Sequence, residues 1–225
     1  MSVIAAYYYN KGKRIREIAL DERFEQDEAR SGFCWIALRE PSADELHALQ
    51  TAYHLHPLAV DNAMHPLCPP KLEVYNDELY IVAQTAELVG DKISYGKTAI
   101  FTGHNHLITA RHGSGGALGN LRGQLEASPT LLGKGVDYVL HAILHRIVDQ
   151  YLPIFEMIED DVLAMEKRSI DDFLGRDEVA RIFSLRGELT RFQRTLGAMA
   201  ELVRNVNQRP IVSRCQRPNF SSCSG

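Results

Sequence analysis

Residues 177–208 read Asp-Glu-Val-Ala-Arg-Ile-Phe-Ser-Leu-Arg-Gly-Glu-Leu-Thr-Arg-Phe-Gln-Arg-Thr-Leu-Gly-Ala-Met-Ala-Glu-Leu-Val-Arg-Asn-Val-Asn-Gln. Apolar side chains fall at Ile182, Leu185, Leu189, Phe192, Leu196, Met199, Val203 and Val206. That three-four rhythm puts them on one helical face with a narrow, coiled-coil-like seam. At about 1.5 Å per residue such a helix runs roughly 50 Å, against ~30 Å for a compact domain. It is therefore expected to project beyond the domain that carries it. After Arg209-Pro210 the remaining residues, 211–225, have no periodicity. The sequence reads as a rod that loses its continuation, by truncation or frameshift.

Immediately upstream, Val136–Ser169 is a second helical pattern, with Leu140, Leu144, Ile147, Tyr151, Ile154, Ile158, Val162 and Met165 on one face. Pro153 is expected to kink or split it near Tyr151, and Gly175 marks the turn into the rod. Glu156, Glu159, Asp160, Asp161 and Glu166 form an acidic face opposite this stripe. The rod is the reverse, with Arg176, Arg181, Arg186, Arg191, Arg194, Arg204 and Arg209 exceeding its acidic residues. Such a pair suits antiparallel packing or charge matching between subunits. The acidic face also suits hard cations, which take oxygen ligands, although a solvated face accounts for it equally.

Before these helices the period changes. Val3–Tyr9 and Arg14–Leu20 flank Asn10-Lys11-Gly12 as a hairpin. Phe33–Leu38 reads as a buried strand. Ser42 and Glu45 have capping-box spacing, opening a helix with Leu46, Leu49 and Tyr53 on one face. Pro57 begins a short helix, Leu58–Ala63, and Pro66, Pro69 and Pro70 force an extended connection. From Lys71 the period is two, with strands at Leu79–Thr85, Ile93–Phe101 and His106–Arg111. A loop at Gly113–Gly116 leads to a helix near Leu118–Ala127, and Ser128-Pro129 with Gly133-Lys134-Gly135 separates this part from the helices. The division is 1–134 as an α/β domain, 135–208 as long antiparallel helices including the start of a stalk, and 209–225 as a tail.

Bulk properties narrow the function. The 225 residues are 45% hydrophobic and 24% charged, as in ordinary soluble proteins, and the net charge of −4 gives no basic nucleic-acid surface. Cys34, Cys68, Cys215 and Cys223 form no Cys-x-x-Cys pair, which favours free thiols in a reducing compartment. The start lacks a secretory pattern. No window reaches the ~20 uninterrupted apolar residues of a membrane span.

Chemical motifs are sparse. Gly113-x-Gly115 lacks the third glycine of a dinucleotide loop, and Gly133-Lys134 is followed by Gly135 rather than the Ser or Thr of a phosphate loop. His141 and His145 stand four apart on a helix. A metalloprotease would carry Glu at position 142, which is Ala. His54-x-His56 and His104-x-His106 have no cysteine or carboxylate at ligand spacing. No nucleophile, base and orienting group can be assembled. The reading is no enzyme and no covalently bound cofactor, with a hydrolase using His141 and His145 as the weakest alternative.

Four stretches in register resemble the cytoplasmic domain of the CorA-type divalent-cation transporters. They are Trp35-Ile36-x-Leu38 with Pro41; His56-Pro57-Leu58-Ala59-Val60-Asp61-Asn62-Ala63; Pro70-Lys71-Leu72-Glu73-Val74-Tyr75 with Leu79-Tyr80-Ile81-Val82; and Asp137-Tyr138 through Val148-Asp149-x-Tyr151-x-Pro153. The resemblance implies an α/β (α+β) fold, a mixed β-sheet sandwiched by helices, then paired long helices and a stalk. It implies a homopentameric funnel on the cytoplasmic face of the cell membrane, and Mg²⁺ (or Co²⁺, Ni²⁺, Zn²⁺) as both regulatory and transported ion. The family's Gly-Met-Asn pore motif and membrane helices do not occur in this sequence, so the chain by itself is expected to be soluble and unable to conduct.

In the family, carboxylates after His-Pro-Leu and on the paired helices bind a regulatory cation between subunits. The matching positions are Asp61 and Asn62, with His145 at a helix position that can be aspartate. Glu156, Glu159 and Asp160 are weaker metal candidates. Replacing carboxylates by an amide and an imidazole weakens Mg²⁺ binding and shifts preference toward Zn²⁺, Co²⁺ or Ni²⁺. The zinc-transporting branch of the superfamily is thus one alternative, and a soluble module recruiting a partner helix through its seam is another. The seam also predicts self-association, since burying each such side chain is worth about 1.5–3 kcal/mol.

Overall fold

The computed structural model describes residues 2–22, 32–65, 68–76, 78–90, 92–113, 118–171 and 175–208. The Pro210 break and the tail lie outside them, as do Cys215 and Cys223.

Strand β1 (Val3–Asn10) turns at Lys11 and Gly12 into β2 (Lys13–Glu17). Both turn residues have positive φ, 49° and 74°, the type I′ geometry that matches the twist of paired strands. A Cβ at Gly12 would lie 1.8 Å from the carbonyl oxygen of Pro129, so the turn tip is seated on a neighbouring helix and only glycine fits. Strand β3 (Gly32–Arg39) follows. Helix α1 (Ala43–Tyr53) opens with both bonds of the capping box: Ser42 Oγ accepts from Glu45 N at 3.2 Å, and Glu45 accepts from Ser42 N at 2.8 Å. Helix α2 (Pro57–Met64) has proline at its first position, where no N–H is needed.

Four strands come next, β4 (Lys71–Tyr75), β5 (Glu78–Val89), β6 (Lys92–Thr102) and β7 (His106–Gly113). The seven strands form one sheet in the order β2-β1-β3-β7-β6-β5-β4. Only β3 and β7 pair in parallel, Trp35 opposite Leu107; every other pairing is antiparallel. Strand alternation divides the core cleanly. Ile36, Leu38, Val82, Ala99, Phe101 and Ile108 face α1 and α2. Phe33, Trp35, Ile81, Ala83, Ile100 and Leu107 face the later helices. The sheet is therefore mixed and covered on both sides.

Helices α3 (Leu121–Glu126), α4 (Pro129–Leu132), α5 (Val136–Asp149), α6 (Tyr151–Asp171) and α7 (Arg176–Gln208) make that second layer. Three local expectations need correction. Lys71–Tyr75 is a strand of its own at the sheet edge. Ser128-Pro129 opens a helix rather than a spacer. The strand expected to reach Leu20 stops at Glu17. The split near Pro153 is real: Gln150 separates α5 from α6, and the proline sits in the first turn of α6, where its missing donor costs nothing.

The seam of α7 also divides. Leu185, Phe192, Met199 and Val206 recur every seven residues and are buried against the sheet side of the same chain, together with Thr195 and Leu202. Ile182 and Leu189 remain 38% and 45% exposed, while Leu196 and Val203 are half-buried. The reason is geometric. Three residues rotate a helix by about −60° and four by about +40°, and the domain covers the first flank only. The last described turn stays packed through Val206. In α7 the large apolar side chains left in water are Val179, Ile182, Phe183 and Leu189, all in its first half; in α6 they are Leu152, Phe155 and Leu163. The expected projection is thus at the start of α7, not at its described end. Among the described residues no helix is long and apolar enough to cross a membrane.

Candidate functional site

The His-Pro-Leu helix is held at both ends by groups that are far apart in sequence. At its start, the His56 ring stacks on Tyr75 with centroids 3.9 Å apart and planes within 8°. Tyr75 donates its hydroxyl to Glu73 at 2.9 Å, and Lys71 donates to the same carboxylate at 3.0 Å. These two partners, against the opposing effect of desolvation, hold Glu73 below the usual carboxylate range. The Lys71 ammonium also lies 5.7 Å from the Tyr80 ring. The stretches around His56 and Lys71 therefore form one packed unit, α2 against edge strand β4.

At the end of α2, Lys97 reaches across from β6. Its Nζ donates to the carbonyls of Asn62 at 3.1 Å, Ala63 at 2.9 Å and His65. An ammonium has three protons, and all are used. Carbonyls at a helix C-terminus lack intrahelical donors and carry partial negative charge, so a cation satisfies both needs. Lys97 is only 2% exposed, and burial pulls its ammonium below the ordinary lysine range. Asp61, on the last turn of α2, is exposed and Asn62 half-buried. The helix that carries both is thus fixed by an aromatic stack at one end and a buried cation at the other.

His145 lies on α5, across the sheet from α2. Its side chain is 77% exposed and its Nδ1 is 3.0 Å from Asp149. Glu156, Glu159 and Asp160 are exposed on α6. Asp161 beside them accepts from Arg181 of α7 at 2.6 Å, an ion pair between the acidic and basic helices. Among the described residues no three His, Cys, Asp or Glu side chains of one chain come together as a metal site. Asp61 and Asn62 are brought together with each other, but not with His145 or the acidic face.

The remaining histidines divide by environment. His141 and His104 are exposed, and His54 closes α1 in a left-handed conformation. His106 is 5% exposed, and burial pushes its imidazole down to about 4. Its Nε2 lies 3.6 Å from Glu78, whose carboxyl burial pushes up to about 7. Both shifts favour uncharged forms, so this contact is not an ion pair at neutral pH. Sequence reading overlooked Lys97 and Glu78. For Lys97 a signal existed: it shares strand parity with Ala99 and Phe101, so it faces the α1–α2 layer.

The sequence model of the CorA-like Mg²⁺ transporter protein family matches residues 30–222. The chain belongs to that family. YfjQ of Bacillus subtilis, a metal ion transporter by name, is 26% identical over 82% of this chain and 56% of its own length. The chain spans about half the length of the curated relatives it matches, from 49% to 59%. The soluble domain of CorA from Methanocaldococcus jannaschii superposes with a TM-score of 0.73 at 22% identity, covering 95% of this chain and 84% of that one. The cytoplasmic domain of ZntB from Vibrio parahaemolyticus superposes with a TM-score of 0.70 at 12% identity, over 94% and 82%. These likenesses establish the α/β fold. The His56 and Lys71 stretches that resembled the family in sequence are the two that pack together around α2.

Proposed function

We propose that this chain is the cytoplasmic, cation-responsive part of a CorA-like transporter that moves Mg²⁺, and also Co²⁺ or Ni²⁺, across the membrane. Family membership over residues 30–222 carries this reading. The regulatory site is Asp61 with Asn62 on α2, completed by groups such as His145 from a neighbouring copy in a homopentamer. The separation of α2 from α5 across the sheet is what a site shared between copies requires. Transport itself belongs to membrane-spanning parts, and among the described residues no helix is long and apolar enough to be one; the proposed role is binding rather than catalysis. Glu156, Glu159 and Asp160 of α6 are a second, weaker place for a hard cation.

A zinc-handling reading has one observation in its favour. The exposed His145–Asp149 pair at 3.0 Å offers the imidazole and carboxylate that zinc accepts and magnesium does not prefer. Calorimetric titration of the chain with Mg²⁺ and Zn²⁺, beside Asp61→Ala and His145→Ala, separates the two. Loss of Mg²⁺ binding in Asp61→Ala with little effect of His145→Ala supports the magnesium sensor. A tenfold or greater loss of Zn²⁺ affinity in His145→Ala supports the zinc branch. Absence of binding to either ion would defeat the sensing role and leave a helix-mediated interaction module, using the exposed apolar start of α7.

A further inference from the structure

Helix α5 buries Val139, Leu140, Ile143, Leu144 and Ile147 along one side. Elsewhere on the same helix Asp137, His141, His145 and Asp149 recur at every fourth residue. Residues four apart are neighbours one turn above another, with Cβ atoms about 5–6 Å apart, so the four make a row that winds slowly round the helix. Two imidazoles occupy its middle and a carboxylate stands at each end. His141 is exposed and the His145 side chain is 77% exposed, so neither ring is there to fill the core.

Each ring has a carboxylate behind it. Asp149 Oδ2 lies 3.0 Å from His145 Nδ1. A carboxylate only accepts, so in the neutral ring the proton sits on Nδ1 and the lone pair on Nε2. At the other end Asp137 is half-buried in the first turn. Burial raises its carboxyl above the usual range, and the charges of His104, from the β6–β7 turn, and of His141 act against that rise.

A carboxylate behind an imidazole fixes the ring of a metal-ligating histidine and raises its basicity. Two histidines four apart on one helix face have the spacing that holds zinc on a helix. Imidazole suits zinc, copper and nickel, whereas magnesium takes oxygen ligands. The position that would carry a metalloprotease's glutamate is Ala142, so the row offers ligands without a general base. We propose that His141 and His145 of a single chain clamp a divalent transition-metal ion, zinc in first place, with Asp137 and Asp149 orienting the rings and water completing the coordination. Two protein ligands accord with the lack of any three-residue metal grouping among the described residues. The proposal rests on the zinc-handling reading and deepens it, naming a second ligand that requires neither Asp61 nor a neighbouring copy.

The test is calorimetric titration of the full 225-residue chain with Zn²⁺, beside His141→Ala, His145→Ala, Asp149→Asn and Asp61→Ala. Both histidines stand on the surface of a helix, so their replacement leaves the fold intact, as circular dichroism verifies. Binding of Zn²⁺ at this site should weaken about tenfold or more in either histidine variant and severalfold in Asp149→Asn, and stay unchanged in Asp61→Ala. Ni²⁺ should follow the same pattern, and millimolar Mg²⁺ should displace neither ion. Zinc affinity that falls in His145→Ala and Asp61→Ala but not in His141→Ala overturns the clamp and leaves a zinc site shared between copies standing. Absence of zinc binding, or binding indifferent to His145→Ala, overturns both. Affinity unchanged in Asp149→Asn overturns the orienting role of that carboxylate.

Discussion

Three polar residues, the buried Lys97 and His106 and the half-buried Glu78, determine how α2 and the sheet edge behave. Lys97 replaces the donors that a helix C-terminus lacks; the lysine is 2% exposed, and its bond to the Ala63 carbonyl is buried while those to Asn62 and His65 are part-buried. Lys97→Met keeps the length and removes the ammonium. It should destabilise the chain by about 2–4 kcal/mol, since each stranded buried acceptor costs about 1–3 kcal/mol, as measured by urea unfolding. Glu78 and His106 make opposing contributions to pH dependence. His106, lowered from 6.5 to about 4, contributes stability that is complete above pH 6.5 and lost as pH falls through 4. Glu78, raised from 4.5 to about 7, contributes stability that is complete below pH 4.5 and lost as pH rises through 7. The two slopes largely offset one another between pH 4.5 and 6.5. Glu78→Gln should therefore match the parent near pH 4.5 and exceed it by about 2–3 kcal/mol at pH 8, as read by urea unfolding across pH. A constant difference at all pH values would show that Glu78 is ionised in the fold.

At the scale of elements, α7 is the part most legible in sequence and also the part most incompletely read. Its rhythm identified the helix, its length and its apolar face, because periodicity reports which side chains share a side. Periodicity does not report what covers them. Three contacts decide that: Phe192 meets the Tyr151 ring edge-on at 5.9 Å, Met199 Sδ accepts from the Gln84 amide at 3.3 Å, and Arg191 lies 4.0 Å over the Tyr95 ring. Tyr151 in turn donates to the Gln84 carbonyl at 2.6 Å, tying the α6 start and α7 to the same residue of β5. Phe192→Ala should cost about 3–5 kcal/mol, as core aromatic truncations do, whereas Leu189→Ala should cost below about 1 kcal/mol. Thermal denaturation of the two variants checks this. Equal losses would mean that both rows of the seam are buried in the folded chain. Strands were legible where a short run rich in apolar and β-branched residues is bounded by turn residues, as in β5 and β7. The edge strand β4 was missed because its five residues lie close behind a proline-rich connection and are mostly half-exposed. The capping box and the hairpin turn were read correctly because their geometry is local.

At the scale of the molecule, the chain is a two-sided α/β domain with a helical pair attached to one face. The resemblance at His56 and Lys71 anticipated the family because those residues build a physical unit around α2. The site was less legible than the fold. Asp61, Asn62 and His145 were chosen by position in a motif, and a single chain does not gather them, so any shared site depends on how copies meet. The exposed apolar start of α7 and the half-covered row at Leu196 and Val203 provide surface for such meeting. The central claim is that divalent cations bind between copies of this domain through α2. Sedimentation velocity of the chain with and without millimolar Mg²⁺, for the parent and Asp61→Ala, tests it most directly. The account predicts a cation-dependent shift to larger species in the parent that Asp61→Ala abolishes. A single species unaffected by Mg²⁺, or an unaltered shift in Asp61→Ala, would contradict it.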